Sequence, residues 1–212
     1  MTPPPLSFGS VYEDALARRS HEFLALGHAR LAPADLAGLE ETDITGKLCD
    51  AMNEVLDSPE APEWATLVTV VDDQPESIGG RMGKRRPRTD VCVRCINPRP
   101  EYRFRFEAKR LHSTNSLAAY LGEAGMLALV RGYYGPLGHG GMIGYVQTGA
   151  ENEWATRIQT TLREAPQDYD VVEPVAFVPL GVNVPEPVFC SEHHAALPNT
   201  FARITHTLLR CA

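Results

Sequence analysis

The sequence predicts one domain of the α/β class, of mixed α+β type, in which a central mixed β-sheet is flanked by helices. Its 212 residues are 43% hydrophobic and 22% charged, a composition that is sufficient to build a packed core. Segments with helical periodicity alternate with β-branched runs, which is typical of helices packed on a sheet. No internal repeat or interdomain linker divides the chain.

Two helices are predicted in the N-terminal part of the chain. The first covers residues 11–30, where apolar side chains recur on one rough stripe. The second is capped by Thr42 or Asp43 and follows directly after Glu40 and Glu41. Its beginning is therefore strongly acidic.

The remaining elements follow from β-branched runs, turn residues and helical spacing. Strands are predicted at 64–71, 89–96, 102–109, 141–148 and 202–210. Helices are predicted at 116–131 and 151–164. We divide the single domain, residues 1–212, into three parts: a helical part with the acidic helix (1–60), a central part (64–150), and a C-terminal helix and strands (151–212).

Positive charge is concentrated in one block, although the whole chain has a net charge of −7. Residues 81–110 contain 11 basic and three acidic side chains, and such a block is typical of a surface that binds phosphate backbones. The alternative is a solvated basic loop. The candidate phosphate contacts in the block are Arg85, Arg86, Arg88, Arg103 and Arg105. Arg131 is a further candidate, with a simple charge at a helix end as its alternative.

The hairpin formed by strands 89–96 and 102–109 predicts a pair of facing carboxylates. If Pro98 and Arg99 are the central turn residues, Asp90 lies across from Glu107 on the same face. Two carboxylates about 5 Å apart at Cβ repel each other unless a cation lies between them. Lys109 points to the same face of the strand. The alternate side chains are apolar and should face the core: Phe104, Phe106 and Ala108.

Asp90 and the run Glu107-Ala108-Lys109 have the spacing Asp-x16-Glu-x-Lys, which resembles the PD-(D/E)xK nuclease superfamily. The resemblance covers residues 36–150 and implies a restriction-endonuclease-like core. It also implies that Asp90, Glu107 and the backbone carbonyl of Ala108 bind Mg²⁺ or Mn²⁺, and that Lys109 orients or activates the attacking water. The proline that precedes the aspartate in the superfamily is absent, because Thr89 stands there.

Many nucleases of this superfamily place a further glutamate from an early helix beside the metal. Glu41 is the candidate for this catalytic and metal-binding role, with Glu40 as the second choice. The alternative is that these acids only complement the helix dipole.

The resemblance implies a magnesium-dependent nuclease that hydrolyses phosphodiester bonds, and we expect DNA rather than RNA as its substrate. Since no helix-turn-helix or zinc finger is recognisable, a partner protein such as a helicase or ATPase subunit is expected to supply targeting. That would suit an effector subunit of a bacterial antiviral defence or DNA-processing system. The alternative is a non-catalytic protein of nuclease-like fold that binds nucleic acid or a partner.

The compartment follows from the cysteines and the absence of apolar runs. Five cysteines and no export signal indicate free thiols in the cytoplasm, and no run is long enough to cross a membrane. A zinc site at Cys92 and Cys95 is disfavoured, because residues three apart on a strand face opposite sides.

Overall fold

A mixed β-sheet forms the centre of the fold, as predicted, and helices flank it. The computed structural model describes residues 8–59, 61–76, 86–96, 101–134, 138–173, 175–179, 182, 184, 188–198 and 200–212. Within these ranges the helices are α1 (Phe8–His28), α2 (Glu41–Leu56), α3 (Ser116–Leu121), α4 (Met126–Val130) and α5 (Glu151–Glu164). The strands are β1 (Val68–Pro75), β2 (Arg88–Cys95), β3 (Tyr102–Leu111), β4 (His139–Val146), β5 (Val178–Pro179), β6 (Val188–His194) and β7 (Phe201–Arg210).

The strand order in the described sheet is β1-β2-β3-β4-β7-β6-β5. Strand β4 runs parallel to both β3 and β7, and the other neighbouring strands are antiparallel. The two central pairings therefore need crossover connections, which α3, α4 and α5 supply.

Two apolar clusters cover the sheet. Ile143 and Tyr145 of β4 pack in one cluster with residues of α1 and α2. Met142 and Val146 of the same strand pack in the other, with residues of α3, α4 and α5. Because successive side chains of a strand alternate between faces, the two clusters lie on opposite faces of the sheet.

The predicted register of the β2–β3 hairpin is confirmed. Val91 pairs with Phe106 and Val93 with Phe104, and the phenylalanines are buried together with Ala108. This register is the one that keeps the apolar side chains of β3 on the core face, since a slip of one residue would exchange the faces. The turn at 97–100 lies outside the described residues.

Several element boundaries differ from the prediction. Helix α2 begins at Glu41 with Glu40 as its N-cap, so capping by Thr42 or Asp43 is wrong. Residues 63–67 form a 3₁₀ turn, and β1 begins only at Val68. The helix predicted at 116–131 is broken into α3 and α4, because Gly122 and Gly125 leave the helical conformation at the end of α3 and before α4. The break requires glycine at position 125, since a side chain there would collide with the carbonyl oxygens of Ala119 and Tyr120.

Candidate active site

The two acids of the motif meet where the paired part of the hairpin ends. The last pair of the ladder is Val91 with Phe106; Asp90 immediately precedes Val91, and Glu107 immediately follows Phe106. Asp90 Oδ2 accepts a hydrogen bond of 2.7 Å from the backbone N–H of Ala108. Both carboxyl groups also face the Lys109 ammonium, whose Nζ lies 3.1 Å from Glu107 Oε1 and 3.9 Å from Asp90 Oδ2. The strand pairing thus holds the carboxyl groups together.

Lys109 lies among the oxygens that the sequence assigned to a metal ion. Its Nζ donates to Glu41 Oε1 at 2.9 Å, to Glu107 Oε1 at 3.1 Å and to the Ala108 carbonyl at 2.6 Å. Asp90 Oδ2 lies 3.9 Å away. All four predicted metal ligands therefore surround one ammonium group.

Glu41 reaches this cluster because β3 holds the beginning of α2. The backbone N–H of Arg110 donates to Glu41 Oε2 at 3.3 Å. The guanidinium of Arg110 donates to the Leu39 carbonyl at 3.2 Å and pairs with Glu40 Oε2 at 2.6 Å. The side chain of Glu40 is 69% exposed, so Glu41 is the acid that α2 contributes to the cluster. Sequence reasoning missed Arg110, whose partners lie some 70 residues away.

Burial and mutual repulsion set the charge of the cluster. Burial raises the pKa of Glu107 to about 7, and the neighbouring Asp90 contributes in the same direction. Burial also raises the pKa of Asp90, although Lys109 opposes the shift. Burial disfavours the charged form of Lys109, yet the surrounding carboxylates raise its pKa overall. Three carboxyl groups thus share one ammonium, and the cluster attracts further positive charge.

Tyr134 is a second residue of the site that sequence reasoning did not assign. Its hydroxyl donates a hydrogen bond of 2.6 Å to Glu107 Oε2, and its side chain is buried. No spacing rule links the two residues, which are 27 positions apart. The only local sequence signal near Tyr134 is Gly132, because glycine commonly follows the end of a helix. It indicates a chain reversal there but does not indicate which residue Tyr134 contacts.

The donors fit a hard divalent cation in their chemistry. The carboxylates of Glu41, Asp90 and Glu107 and the carbonyl of Ala108 offer only oxygen, which Mg²⁺ and Mn²⁺ prefer. Across the described ranges, no group of three or more His, Cys, Asp or Glu residues is arranged to hold a metal ion. At this cluster the Lys109 ammonium lies among the oxygens instead. A cation would therefore compete with Lys109 for them.

An open cavity of about 210 Å³ lies beside Glu41 and Asp90. Its other lining residues are Thr42, Thr45, Asp72 and Asp73. The cavity gives solvent a route to the carboxylates. Its acidic lining attracts cations.

The arginines predicted to contact phosphate have carboxylate partners in the described structure. Arg88 pairs with Asp73 at 2.6 Å, and Arg105 pairs with Glu76 at 2.7 Å. Arg103 lies 3.0 Å from Glu101 and 3.6 Å from Glu76. Arg131 pairs with Glu123 and with Asp170. The acids that compensate this block come mostly from outside it.

Arg86 is the exception, because its buried Nε has no hydrogen-bond partner among the described residues. Arg85 and the loop at 79–83 lie outside them. Whether the block binds phosphate stays a prediction.

Comparison with protein-family models, with curated proteins and with solved structures found no match. No helix in the described part of the chain is both long enough and apolar enough to span a membrane. The five cysteines are free thiols.

Proposed function

We propose that this protein is a metal-dependent nuclease of the PD-(D/E)xK type, which hydrolyses phosphodiester bonds. The observation that carries the proposal is the convergence of Glu41, Asp90, Glu107 and the Ala108 carbonyl on Lys109 Nζ. The resemblance named the same residues. The order α2, β1, β2, β3, α3, α4, β4 supports a restriction-endonuclease-like core, since the resemblance implies an acidic helix, a strand, a hairpin, a helix and a strand.

Glu41, Asp90, Glu107 and the Ala108 carbonyl would hold the cation. A bound Mg²⁺ or Mn²⁺ ion would supply Lewis-acid stabilisation of the charge that develops on the phosphate. The backbone N–H of Ala108 fixes the direction of the Asp90 carboxylate. A carboxylate that is already oriented in this way needs less rearrangement to bind a cation.

Lys109 supplies the mobile positive charge of the site. Its ammonium has three donors on a flexible stem, and here they are directed at Glu41, Glu107 and the Ala108 carbonyl. If a cation were bound by these oxygens, the Lys109 ammonium would be free to donate a hydrogen bond to the attacking water or to a phosphate oxygen. The water would add to phosphorus and lose a proton to solvent, while the bond to the leaving sugar oxygen breaks and that oxygen takes a proton from solvent.

DNA is the proposed substrate, delivered by a partner such as a helicase or ATPase subunit. The support for a partner is electrostatic. Arg88, Arg103, Arg105 and Arg131 are already paired with acids, so these four candidate contacts offer little uncompensated positive charge to attract a polyanion. An effector role in bacterial defence or DNA processing is part of the same proposal and rests on the resemblance alone.

The test is cleavage of supercoiled plasmid, with RNA in parallel, in the presence of Mg²⁺, Mn²⁺ or EDTA. Cleavage should need the cation and should be lost in Asp90→Asn and Lys109→Ala. Glu192→Gln is the matched control, because Glu192 is an exposed acid paired with Arg203 on the β6–β7 hairpin. Full cleavage by folded Asp90→Asn or Lys109→Ala protein contradicts the proposal. So does the absence of Mn²⁺ binding in calorimetry.

The second candidate is a non-catalytic protein of nuclease-like fold that binds nucleic acid or a partner. The position of Lys109 favours it, since an internal ammonium can serve as the permanent counter-ion of the carboxylates. Nucleic-acid binding without cleavage, unchanged in Lys109→Ala, would support this function over the first.

A further inference from the structure

Tyr134 is held in place by the end of helix α4. The N–H of Tyr133 donates to the Ala128 carbonyl at 2.9 Å, and the N–H of Gly132 donates to the Leu129 carbonyl at 3.2 Å. Gly132 has a φ of +70°. These features form a Schellman motif, in which a left-handed glycine reverses the chain after a helix. The motif directs the next residues of the chain back toward β3.

The Tyr134 hydroxyl and the Lys109 ammonium contact different oxygens of the same carboxyl group. Tyr134 donates to Glu107 Oε2 at 2.6 Å, whereas Lys109 donates to Oε1 at 3.1 Å. The Glu107 side chain is 8% exposed. With Oε2 fixed, Oε1 is the oxygen that Glu107 presents to the centre of the cluster.

A buried tyrosine needs a hydrogen-bond partner, and any core acceptor would satisfy that need. Tyr120 shows the ordinary case. Its fully buried hydroxyl hydrogen-bonds to His206 Nδ1 at 3.1 Å, away from the carboxylate cluster. Tyr134 instead donates to a carboxyl group inside the cluster, as the residues behind metal ligands commonly do.

We propose that Tyr134 is a positioning residue, which holds the Glu107 carboxyl group in the orientation that binds the divalent cation. This inference rests on the proposed function. Tyr134 does not itself contact the cation or the substrate. Its contribution is to restrict the rotation of a ligand, and loss of such an outer contact typically weakens metal binding 10- to 100-fold.

The experiment compares Tyr134→Phe with Tyr120→Phe, since each variant removes one buried hydroxyl. Calorimetric titration with Mn²⁺ should give a Kd at least about tenfold weaker for Tyr134→Phe and unchanged for Tyr120→Phe. The Mg²⁺ concentration for half-maximal plasmid cleavage should rise by a similar factor, and kcat should largely recover at saturating Mg²⁺. A merely structural tyrosine would not produce this split.

The possible outcomes separate the two proposals. Wild-type Mn²⁺ affinity in folded Tyr134→Phe, or an equal loss in both variants, overturns the positioning role alone. The absence of Mn²⁺ binding by the wild-type protein overturns the proposed function as well. If Tyr134→Phe does not fold, Mg²⁺ titration of wild-type protein with ¹³C-labelled tyrosine rings replaces it. The Tyr134 resonance should then shift while that of Tyr120 stays, and an unmoved Tyr134 resonance overturns the inference.

Discussion

Lys109 Nζ lies 2.9 Å from Oε1 of Glu41, a residue 68 positions earlier in the chain. This contact joins the first residue of α2 to the strand that carries the Glu-x-Lys motif. It gives Glu41 a partner without any bound ion. A divalent cation bound at this site would therefore compete with the ammonium for the same carboxylate oxygens.

Replacement of Lys109 by methionine should separate cation binding from cleavage. Lys109→Met keeps the length of the side chain but removes the competing ammonium, so the Mn²⁺ affinity should rise several-fold while plasmid cleavage is lost. Calorimetry and a cleavage assay measure the two effects. Lys47→Met is the control, because Lys47 is an exposed lysine of α2, the helix that contributes Glu41. Weaker Mn²⁺ binding by Lys109→Met would show that the ammonium supports the cation site.

Glu107→Gln should stabilise the cation-free protein at alkaline pH. The folded-state pKa of Glu107 is about 7 because of burial and Asp90, above the ordinary carboxyl value. The stability that its proton provides is thus complete below about pH 4.5 and is lost as pH rises through about 7. Glutamine resembles the protonated form at every pH. Urea unfolding in EDTA should show a gain of up to about 3 kcal/mol at pH 8.

The pH profile provides the control for this prediction. Near pH 4.5 the variant and the wild-type protein should unfold at similar urea concentrations, since both then carry a neutral group. Added Mg²⁺ should stabilise the wild-type protein more than the variant. A Glu107→Gln protein that is less stable than wild type at pH 8 contradicts the assignment of a raised pKa.

The hairpin could be predicted from sequence because its pattern is local. Alternation of Phe104 and Phe106 with charged residues, together with a proline-rich turn, allows only one register that buries the apolar face. That register then places Asp90 beside Glu107. The acidic beginning of α2 likewise indicated Glu41, although the sequence could not exclude Glu40. Which of the two glutamates joins the cluster depends on Arg110. Its guanidinium holds Glu40 at the surface, whereas its backbone N–H binds Glu41.

The features that were missed depend on contacts distant in sequence. The sequence of strand β6 is largely polar, yet Ser191 and His193 are buried. Their burial is compensated by hydrogen bonds, since Ser191 bonds to both His193 and His206. The pairing of Arg105 with Glu76 joins positions 29 residues apart. Composition counts charges in a segment, but it does not show which of them are compensated in the fold.

Buried histidines should make the protein sensitive to acid. Burial lowers the pKa of His21 and His206 to about 3, and that of His139 and His193 to about 4. The unfolded chain binds these protons near pH 6.5, so stability is present above that pH and is lost as pH falls toward 4. Each histidine contributes a slope of up to about 1.4 kcal/mol per pH unit.

His193→Gln tests this dependence, with the exposed His112→Gln as its control. Chemical unfolding between pH 7 and pH 5 should show a shallower loss of stability for His193→Gln than for wild type, and an unchanged loss for His112→Gln. Equal slopes in all three proteins would show that His193 is not held neutral in the folded state.

Arg105 and Arg88 should respond differently to removal of their charge. Arg105 makes two hydrogen bonds, of 2.7 and 3.2 Å, to Glu76, whose side chain is 4% exposed. Arg105→Met leaves that buried carboxylate with Arg103, 3.6 Å away, as its remaining charged partner. The loss of unfolding free energy should therefore be at most about 3 kcal/mol, the lower end for breaking a buried ion pair. Arg88 and Asp73 form an exposed pair, with side chains 45% and 67% exposed. Such a pair contributes about 1 kcal/mol or less.

Arg88→Met should therefore leave stability nearly unchanged and act on nucleic-acid binding. If Arg88 contacts a phosphate, duplex affinity should fall equally for all sequences, and the slope of log affinity against log salt should flatten by about 0.9. The double variant Glu76→Gln/Arg105→Met should regain most of the stability that Arg105→Met loses, because no buried charge remains at position 76. Urea unfolding measures the changes in stability, and DNA titration at several salt concentrations measures the change in salt slope. If Arg105→Met instead flattens the salt slope at unchanged stability, Arg105 binds phosphate and its pairing with Glu76 is dispensable.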